Sequence, residues 1–347
     1  MGDNLEAKTF GRAMNSRMRV GFFFWPYTPD YTRRMAALAD ELGFDMVGVA
    51  DTPGNAMDPW VAMTLAAQQT RRARLAMCVT NAVTRHPAIT ATAAASIDLI
   101  AGGRTILGVG AGHSGVANVG AAPTPPSELR DAVAYMRGLL SGEHSTAVGA
   151  AAEIPWRRGR VPVYLAASGP KALHVAGAVA DGVFVNYGLG PEHVARAEAH
   201  VAAGVSEAGR SRADVDTWYI ACLDCAEDRA MAFKKLGNIL GFVAAYILGR
   251  DPAGRGVPAN LVPAIQELKR IYTTRQDAMD TALVERLGLF DYLRGRLAVA
   301  GTPDDCLEQV RAAAAAGIDG LMFTVSLASD PVQAVELFGR RVLPRLR

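Results

Sequence analysis

A turn between a predicted strand and a predicted helix has residue types that suit a phosphate group. The turn reads Ala166-Ala167-Ser168-Gly169-Pro170, so the backbone passes directly from the strand into the first turn of the helix. The first N–H groups of a helix have no partner within the helix and carry partial positive charge. They can bind a phosphate, and the Ser168 hydroxyl can add a hydrogen bond. An ordinary helix cap is the alternative interpretation.

A second glycine-rich segment, Gly110–Gly115, formally matches the G-x-G-x-x-G pattern of dinucleotide-binding folds. That pattern must open a helix, whereas three prolines within 116–126 prevent a long helix here. We therefore disfavour a nicotinamide dehydrogenase. The segment is instead expected to pass close beneath a flat ring or a phosphate.

Polar side chains follow three other predicted strands. Asp51 ends the second strand, Thr80 and Asn81 end the third, and His113 follows the fourth. Thr80 and Asn81 can hydrogen-bond the edge of a heterocycle. Carboxyl and imidazole groups can act as general acids or bases, so Asp51, His113 and His86 are candidate catalytic residues. A lone histidine is nevertheless more often structural, and His86 stands just before a predicted helix.

Two aromatic residues, Trp25 and Tyr27, lie past the end of the first predicted strand. They can wall an apolar substrate pocket, together with Thr52 beyond the second strand. The C-x-x-C pair Cys222 and Cys225 has no second pair and no nearby histidine, so it is weak evidence for zinc. We interpret it as structural and expect no metal.

Short apolar segments alternate with longer helical ones along the whole chain. This order predicts an α/β fold with a parallel sheet and crossover connections. Eight strand–helix units favour a closed (β/α)8 TIM barrel with helical insertions over an open doubly wound sheet. In such barrels the chemistry lies on the loops after the strands. The predicted strands are Met18–Phe24, Asp45–Ala50, Ala73–Thr80, Thr105–Val109, Val161–Ala167, Gly182–Asn186, Val215–Ala221 and Gly317–Ser326.

The length of 347 residues suits one barrel with insertions. We expect a flexible tail over 1–17 and a single catalytic domain over 18–347. The insertions are expected near 113–126, 141–160 and 227–297. Thr28 and Ser127 are expected to cap helices, because short hydroxyl side chains satisfy free N–H groups at a helix start.

Composition and charge exclude several classes of protein. The net charge is +2 with no clustered basic face, so no nucleic-acid partner is expected. The longest apolar run, Ile239–Leu248, is far shorter than the ~20 residues that span a bilayer, so no membrane partner is expected either. Four cysteines in so long a chain, with no visible signal peptide, suggest the cytoplasm.

Three separate segments in this order resemble the luciferase-like superfamily of flavin- and deazaflavin-dependent oxidoreductases. They are Val79–Ala88, Ile97–Gly112, and Val161–Lys171 with Ala180-Asp181-Gly182 after it. The likeness is greatest to the methylenetetrahydromethanopterin reductase-like branch. It implies a homodimer of barrels with helical insertions, with coenzyme F420, or alternatively FMN, bound at the mouth of each barrel.

The resemblance also implies roles for individual residues. The turn at Ala166–Pro170 would hold the cofactor phosphate with help from Gly110–His113, and Asp51 would lie near the edge of the deazaflavin ring. Cys78 and Val79 match a bulge behind the ring, where F420-dependent members carry a non-prolyl cis peptide. The predicted cofactor-binding residues are Asp51, Cys78, Val79, Thr80, Asn81, Gly110, Ala111, Gly112, His113, Ala166, Ala167, Ser168, Gly169 and Pro170.

Two departures from the family bear on the reaction. Sugar-phosphate dehydrogenases of this superfamily have a histidine where this chain has Thr52, which disfavours that activity. Reductase relatives often have an acid where this chain has His113, which becomes the candidate proton donor. The leading hypothesis is hydride transfer from reduced F420 to a small organic substrate such as an imine, ketone or enone. The alternatives are an FMNH2- and O2-dependent monooxygenase and a non-catalytic cofactor-binding paralogue.

Overall fold

A computed structural model describes residues 17–142, 153–273 and 280–347. Within these residues it contains nine strands, all paired in parallel. The strands are β1 (Arg19–Phe24), β2 (Met46–Val49), β3 (Arg74–Asn81), β4 (Thr105–Gly110), β5 (Val163–Ala167), β6 (Gly182–Val185), β7 (Asp216–Cys225), β8 (Ala298–Gly301) and β9 (Gly320–Thr324).

Eight of these strands close into a barrel. The order runs β1-β2-β3-β4-β5-β6-β7-β9, and β9 pairs with β1 to complete the ring. The predicted TIM barrel is therefore confirmed, and the open sheet is not found. The surrounding helices are α1 (Pro29–Leu42), α2 (Pro59–Gln69), α3 (Pro87–Ala101), α4 (Ser114–Ala117), α5 (Pro126–Ser141), α6 (Pro170–Val179), α7 (Pro191–Glu207), α8 (Arg229–Phe233), α9 (Leu236–Ile247), α10 (Val262–Ile271), α11 (Leu283–Arg286), α12 (Phe290–Leu297), α13 (Pro303–Ala315) and α14 (Pro331–Arg341).

The barrel strands are buried on both faces, which is why their sequences are nearly continuous apolar runs rather than alternating ones. One face packs on the helices in a large core. The other face fills the barrel interior with a cluster drawn from strand residues alone, among them Met46, Tyr164 and Trp218. This interior is packed, so the polar groups that do chemistry must lie at its ends.

Of the two helix caps predicted from the sequence, one is confirmed and one is wrong. Proline opens α1, and the Thr28 side chain accepts the N–H of Tyr31 at 3.2 Å, as predicted. The predicted cap at Ser127 is wrong, because α5 already begins at Pro126. The fixed φ of proline suits the first helical position, so the helix starts one residue before the expected cap.

The carboxyl-terminal part of the chain differs most from prediction. The predicted eighth strand is β9, whereas β8 and α13 were not predicted. β8 is only four residues long and pairs with the upper part of β7, from Cys222 to Cys225. The C-x-x-C pair therefore lies inside β7 rather than past its end, and all four cysteines are buried and free. Among the described residues, no group of three or more histidine, cysteine or acidic side chains is placed to hold a metal ion.

The expected insertion at 227–297 contains α8 to α12, which form a second hydrophobic cluster beside the barrel. One helical stretch in it, Arg229–Ile247, could cross a membrane by length and composition, but 56% of it is buried inside the protein. Core helices pass the same test. The predicted tail at 1–17 lies outside the described residues except for Arg17, and so do 143–152 of the excursion expected at 141–160. The division into one domain with three insertions stays a prediction.

Candidate active site

One pocket lies at the carboxyl ends of the barrel strands, beneath α9. Many of the residues that line this pocket were predicted from the sequence. The predicted residues that line it are Trp25, Asp51, Thr52, Cys78, Val79, Thr80, Asn81, Gly110, Gly112, His113, Ala166, Ala167 and Ser168. Further lining residues were not named individually as site residues, although Ser114 and Gly115 belong to the glycine-rich segment that was expected at the site. They are Phe23, Ala50, Ser114, Gly115, Asn186, Ile220, Ile239, Phe242, Val243, Tyr246, Thr324 and Ser326.

The floor of the pocket is made by the ends of β3 and β4. The peptide bond between Cys78 and Val79 is cis, as the resemblance implied, and the β3–β4 register shifts between Met77 and Thr80. A Cβ at Gly108 would lie 2.2 Å from the backbone oxygen of Met77 and 2.9 Å from Cγ1 of Val79. Only glycine therefore allows the two strands to approach this closely.

The turn from β5 into α6 reaches one end of the pocket through Ser168, and the start of α6 lies directly beside it. Gly169 is the N-cap and provides no side-chain hydrogen bond, so the first N–H groups of this helix have no side-chain cap. The guanidinium of Arg255, from the loop after α9, donates to the backbone oxygen of Ser168 and, at 3.1 Å, to its Oγ. The guanidinium of Arg296 in turn donates to the backbone oxygen of Arg255 at 2.7 Å. A positive side chain thus lies over a helix N-terminus.

Asp51 faces the pocket from the end of β2. Its Oδ2 accepts the Thr80 hydroxyl at 2.7 Å. Burial raises the pKa of Asp51, and this hydrogen bond partly opposes the rise. At a given pH a larger fraction of the Asp51 carboxyl groups is therefore protonated than for an exposed aspartate.

His113 is packed between rings of α9. Its ring centroid lies 3.9 Å from that of Tyr246 and 5.8 Å from that of Phe242. Burial, helped by the positive charge of Arg250, lowers the pKa of His113 to about 4. Its Nδ1 is buried without a hydrogen-bond partner in the part of the chain that the structure describes. Near neutral pH the ring is uncharged, so it can exchange hydrogen bonds but is not a cationic acid.

Residues 9–320 match the luciferase-like monooxygenase family. The chain belongs to this family. The 5,10-methylenetetrahydromethanopterin reductase of Methanolobus tindarius is 30% identical over 94% of the chain and all of the relative. The F420-dependent glucose-6-phosphate dehydrogenase of Rhodococcus erythropolis is 29% identical over 90% of the chain and 92% of the relative.

The luciferase-like fold is also seen in a solved structure, the coenzyme F420-dependent tetrahydromethanopterin reductase from Methanopyrus kandleri. The two structures superpose with a TM-score of 0.79 and 23% sequence identity, over 96% of this chain and all of the other. At this identity the likeness supports the fold alone. It agrees with the closed barrel described above.

Some predicted residues of this luciferase-like protein lie outside the pocket lining. His86 is exposed and is the N-cap of α3, where its Nδ1 accepts the N–H of Ala88 at 3.2 Å. That position favours a capping role, and the catalytic role suggested for His86 stays a prediction. The Tyr27 hydroxyl donates to the backbone oxygen of Ser326 at 2.7 Å, so it supports the wall rather than forming it. Ala111 and the pair Gly169-Pro170 lie beside the lining but are not part of it.

Asn81 contributes less to the pocket than predicted. Its side-chain oxygen accepts the backbone N–H groups of Val83 and Thr84, both at 2.9 Å. The oxygen therefore holds the turn after β3. An edge contact from Asn81 to a heterocycle would have to use its amide nitrogen.

The wall formed by α9 is the largest part of the site that sequence reasoning missed. Ile239, Phe242, Val243 and Tyr246 all line the pocket. Their spacing of three and four residues places them on one helix face. That spacing was visible in the sequence, but the same pattern is typical of any core-facing helix, so it did not point to a site.

Proposed function

We propose that this luciferase-like protein is an F420-dependent reductase that transfers a hydride to a small organic substrate. The observation that carries the proposal is the layout of the pocket. An uncapped helix N-terminus with Arg255 lies at one end, the glycine-lined floor lies in the middle, and the α9 wall lies opposite. This layout suits a planar ring with an anionic tail. Two of the named relatives use F420, and that supports the choice of cofactor.

The residues present fit such a cofactor. The free N–H groups of α6, the Ser168 hydroxyl and Arg255 would hold the phosphate, because a helix N-terminus favours an anion. Gly110 and Val79 would support the ring, since side chains are small or absent there. When bound, reduced F420 supplies a hydride to the carbon of a C=O or C=N bond, and a proton goes to the oxygen or nitrogen.

The remaining polar residues orient the reactants. Asp51 and Thr80 act as one hydrogen-bonded unit at the edge of the ring. Burial among aromatic rings keeps His113 uncharged, so it acts as a hydrogen-bonding group. It can relay a proton only by accepting one at one ring nitrogen while it releases one from the other. Trp25 and the α9 side chains exclude water from the reacting atoms, which strengthens the polar interactions there.

Cofactor binding tests the proposal. The protein is titrated with F420 and with FMN, and quenching of cofactor fluorescence is followed. We expect F420 to bind tightly and FMN weakly. Ser168→Asp should weaken F420 binding at least tenfold by placing a negative charge at the phosphate end. Ser206→Asp on the exposed face of α7 is the matched control and should bind as the wild type does.

Other outcomes separate the alternatives. Tight FMN binding without F420 binding would favour the monooxygenase and contradict the proposal. If neither cofactor binds, the chain has another role. Equal losses in Ser168→Asp and Ser206→Asp would show that the anionic tail does not dock at α6.

We also propose a cytoplasmic homodimer, in line with the expectation from the sequence. Helices α2 and α3 pack side by side and expose apolar side chains, with Val61 at 53%, Ile89 at 58% and Ile100 at 48% exposure. A second copy of this face would cover them. Light scattering should give the mass of a dimer for the wild type and of a monomer for the double variant Ile89→Lys/Ile100→Lys. A wild-type monomer would contradict the proposal.

A further inference from the structure

Charge is unevenly distributed along the pocket. Among the described lining residues Asp51 is the only acid, and none is lysine or arginine. The positive side chains near the pocket, Arg250 and Arg255, both come from the loop after α9. Arg255 contacts Ser168 at the start of α6. Arg250 also lies close enough to His113 to lower its pKa, and Arg85 acts on Asp51 from outside the lining. No described lining residue is itself a cation that could pair directly with an anionic substrate.

The end of the pocket away from α6 is walled by rings and aliphatic groups. Trp25 and Phe242 meet edge to face with centroids 5.6 Å apart. Phe242 also lies beside the uncharged ring of His113. Ile239 and Val243 continue the same surface. A charged group placed against such a surface would lose its hydration without gaining a partner, and this is strongly unfavourable.

Two buried hydroxyls provide a polar point beside this wall. Oγ1 of Thr52 and Oγ of Ser114 are 3.5 Å apart, and the two residues are only 4% and 7% exposed. Both line the pocket. A hydroxyl has one proton to donate. When one hydroxyl donates to the other, the second can donate its proton to a ligand. The pair thus suits a hydrogen-bond acceptor such as a carbonyl oxygen or an imine nitrogen.

We propose that the substrate end of the pocket accepts an uncharged molecule with an apolar body and one hydrogen-bond acceptor, held by Thr52 and Ser114. Phosphorylated sugars and carboxylic acids are excluded, unlike the substrate in the name of the Rhodococcus relative. The inference rests on the proposed function, because it takes the α6 end to be occupied by the cofactor.

Matched substrates test the charge preference. The F420-loaded protein is titrated by calorimetry with cyclohex-2-en-1-one, with a ring-carboxylate analogue of it, and with glucose 6-phosphate. A panel of neutral cyclic ketones is included. Oxidation of reduced F420 by the ketones and enones is measured in parallel. We expect neutral compounds to bind at least tenfold more tightly than either anion. Tighter binding of an anion, or no binding by any neutral compound, would overturn the inference.

Two variants test the hydroxyl pair. Thr52→Val keeps the shape of the side chain and removes its hydroxyl, and Ser114→Ala does the same at the second position. Each should raise the KM and the dissociation constant of the best neutral ligand about tenfold, while F420 affinity stays unchanged. Ser206→Ala on the exposed face of α7 is the matched control. Unchanged ligand affinity in both variants would refute the role of the pair.

A third variant is designed to reverse the preference for uncharged ligands. Val243→Arg places a cation on the apolar wall, and it should improve binding of the carboxylate analogue at least tenfold relative to the neutral enone. No change in this ratio would count against the inference. Failure of F420 itself to bind would instead remove the proposed function, so the two failures are distinguishable.

Discussion

The two sides of the pocket are built in different ways. The β3–β5 side is made mostly of backbone and small residues, with the Cys78–Val79 peptide and Gly110 as the floor. The short polar side chains of Thr80, Asn81 and Ser168 complete it. The α9 side consists of large side chains, among them Phe242 and Tyr246. A surface of backbone groups can hold the same cofactor in many relatives. A surface of side chains can change with little effect on the barrel, so the α9 side is where members of one family can differ in substrate.

The comparison predicts that substitutions on the backbone side act on folding and cofactor binding together. Gly108→Ala should have the largest effect, because its Cβ would lie 2.2 Å from the backbone oxygen of Met77. Overpacking of this kind costs about 3 kcal/mol at the upper end of its usual range. Chemical denaturation should show that loss, and F420 titration should show a matching loss of affinity.

The control for this prediction is Gly159→Ala, where a Cβ would meet nothing within 4 Å. Its free energy of unfolding should stay within about 0.5 kcal/mol of the wild type. If Gly108→Ala were as stable as this control, the close approach of β3 and β4 would not be required, and the contrast between the two sides would be lost.

The second prediction concerns Arg255, a side chain that reaches from the α9 side to the backbone side. Arg255→Ala should weaken binding of intact F420 by about 2 kcal/mol, or about thirtyfold, since hydrogen bonds to charged groups are worth about 1.5–3 kcal/mol. Binding of a deazaflavin that lacks the phosphate tail should not change. Fluorescence titration of both ligands measures this, and Arg270→Ala on the surface is the control. Equal weakening for both ligands would mean that Arg255 supports the loop rather than the phosphate.

The backbone side could be predicted from the sequence because its signals are local. Helices α1 and α3 each begin with proline at the first helical position and end at a glycine, and these residues are visible in the sequence. The turn at Ala166–Pro170 needed only its own residues to suggest a phosphate. These features depend on neighbours along the chain.

The α9 side could not be predicted because its contacts are distant in sequence. Arg255 meets Ser168 across 87 residues, and nothing in the loop around Arg255 indicates where it will fold back. β8 is a short strand of alanine, valine and glycine that directly follows a helix, so no turn separates the two in the sequence. His86 shows the opposite failure, because a polar residue before a helix is typical of both a cap and a catalyst.

The third prediction tests the uncharged state of His113. Its pKa is lowered from 6.5 to about 4, so protonation favours the unfolded chain. The stabilisation is fully present above about pH 6.5 and is lost as the pH falls towards 4. His113→Asn should remove about 3 kcal/mol of the wild type's loss of stability over this interval, since one pKa unit corresponds to about 1.4 kcal/mol.

Urea denaturation at several pH values measures this difference. His193, whose pKa burial also lowers to about 4, is present in both proteins and cancels from the comparison. His200→Asn on α7 is the control and should keep the wild-type pH dependence. If His113→Asn also kept the wild-type pH dependence of stability, His113 would not be held uncharged by the α9 rings. The apolar character assigned to that side would then be wrong.

The smallest expected effect is at His86, which lies on neither side of the pocket. His86→Ala should cost about 0.5 kcal/mol of stability, at the low end for loss of an N-cap, because the N–H of Ala88 loses its partner. His86→Asn should restore it, since asparagine is a good cap. Cofactor affinity and turnover should stay unchanged in both variants, because the side chain is exposed and outside the pocket lining. Loss of turnover at unchanged stability would return His86 to the reaction, and it would mean that the pocket closes further over its ligands than the structure shows.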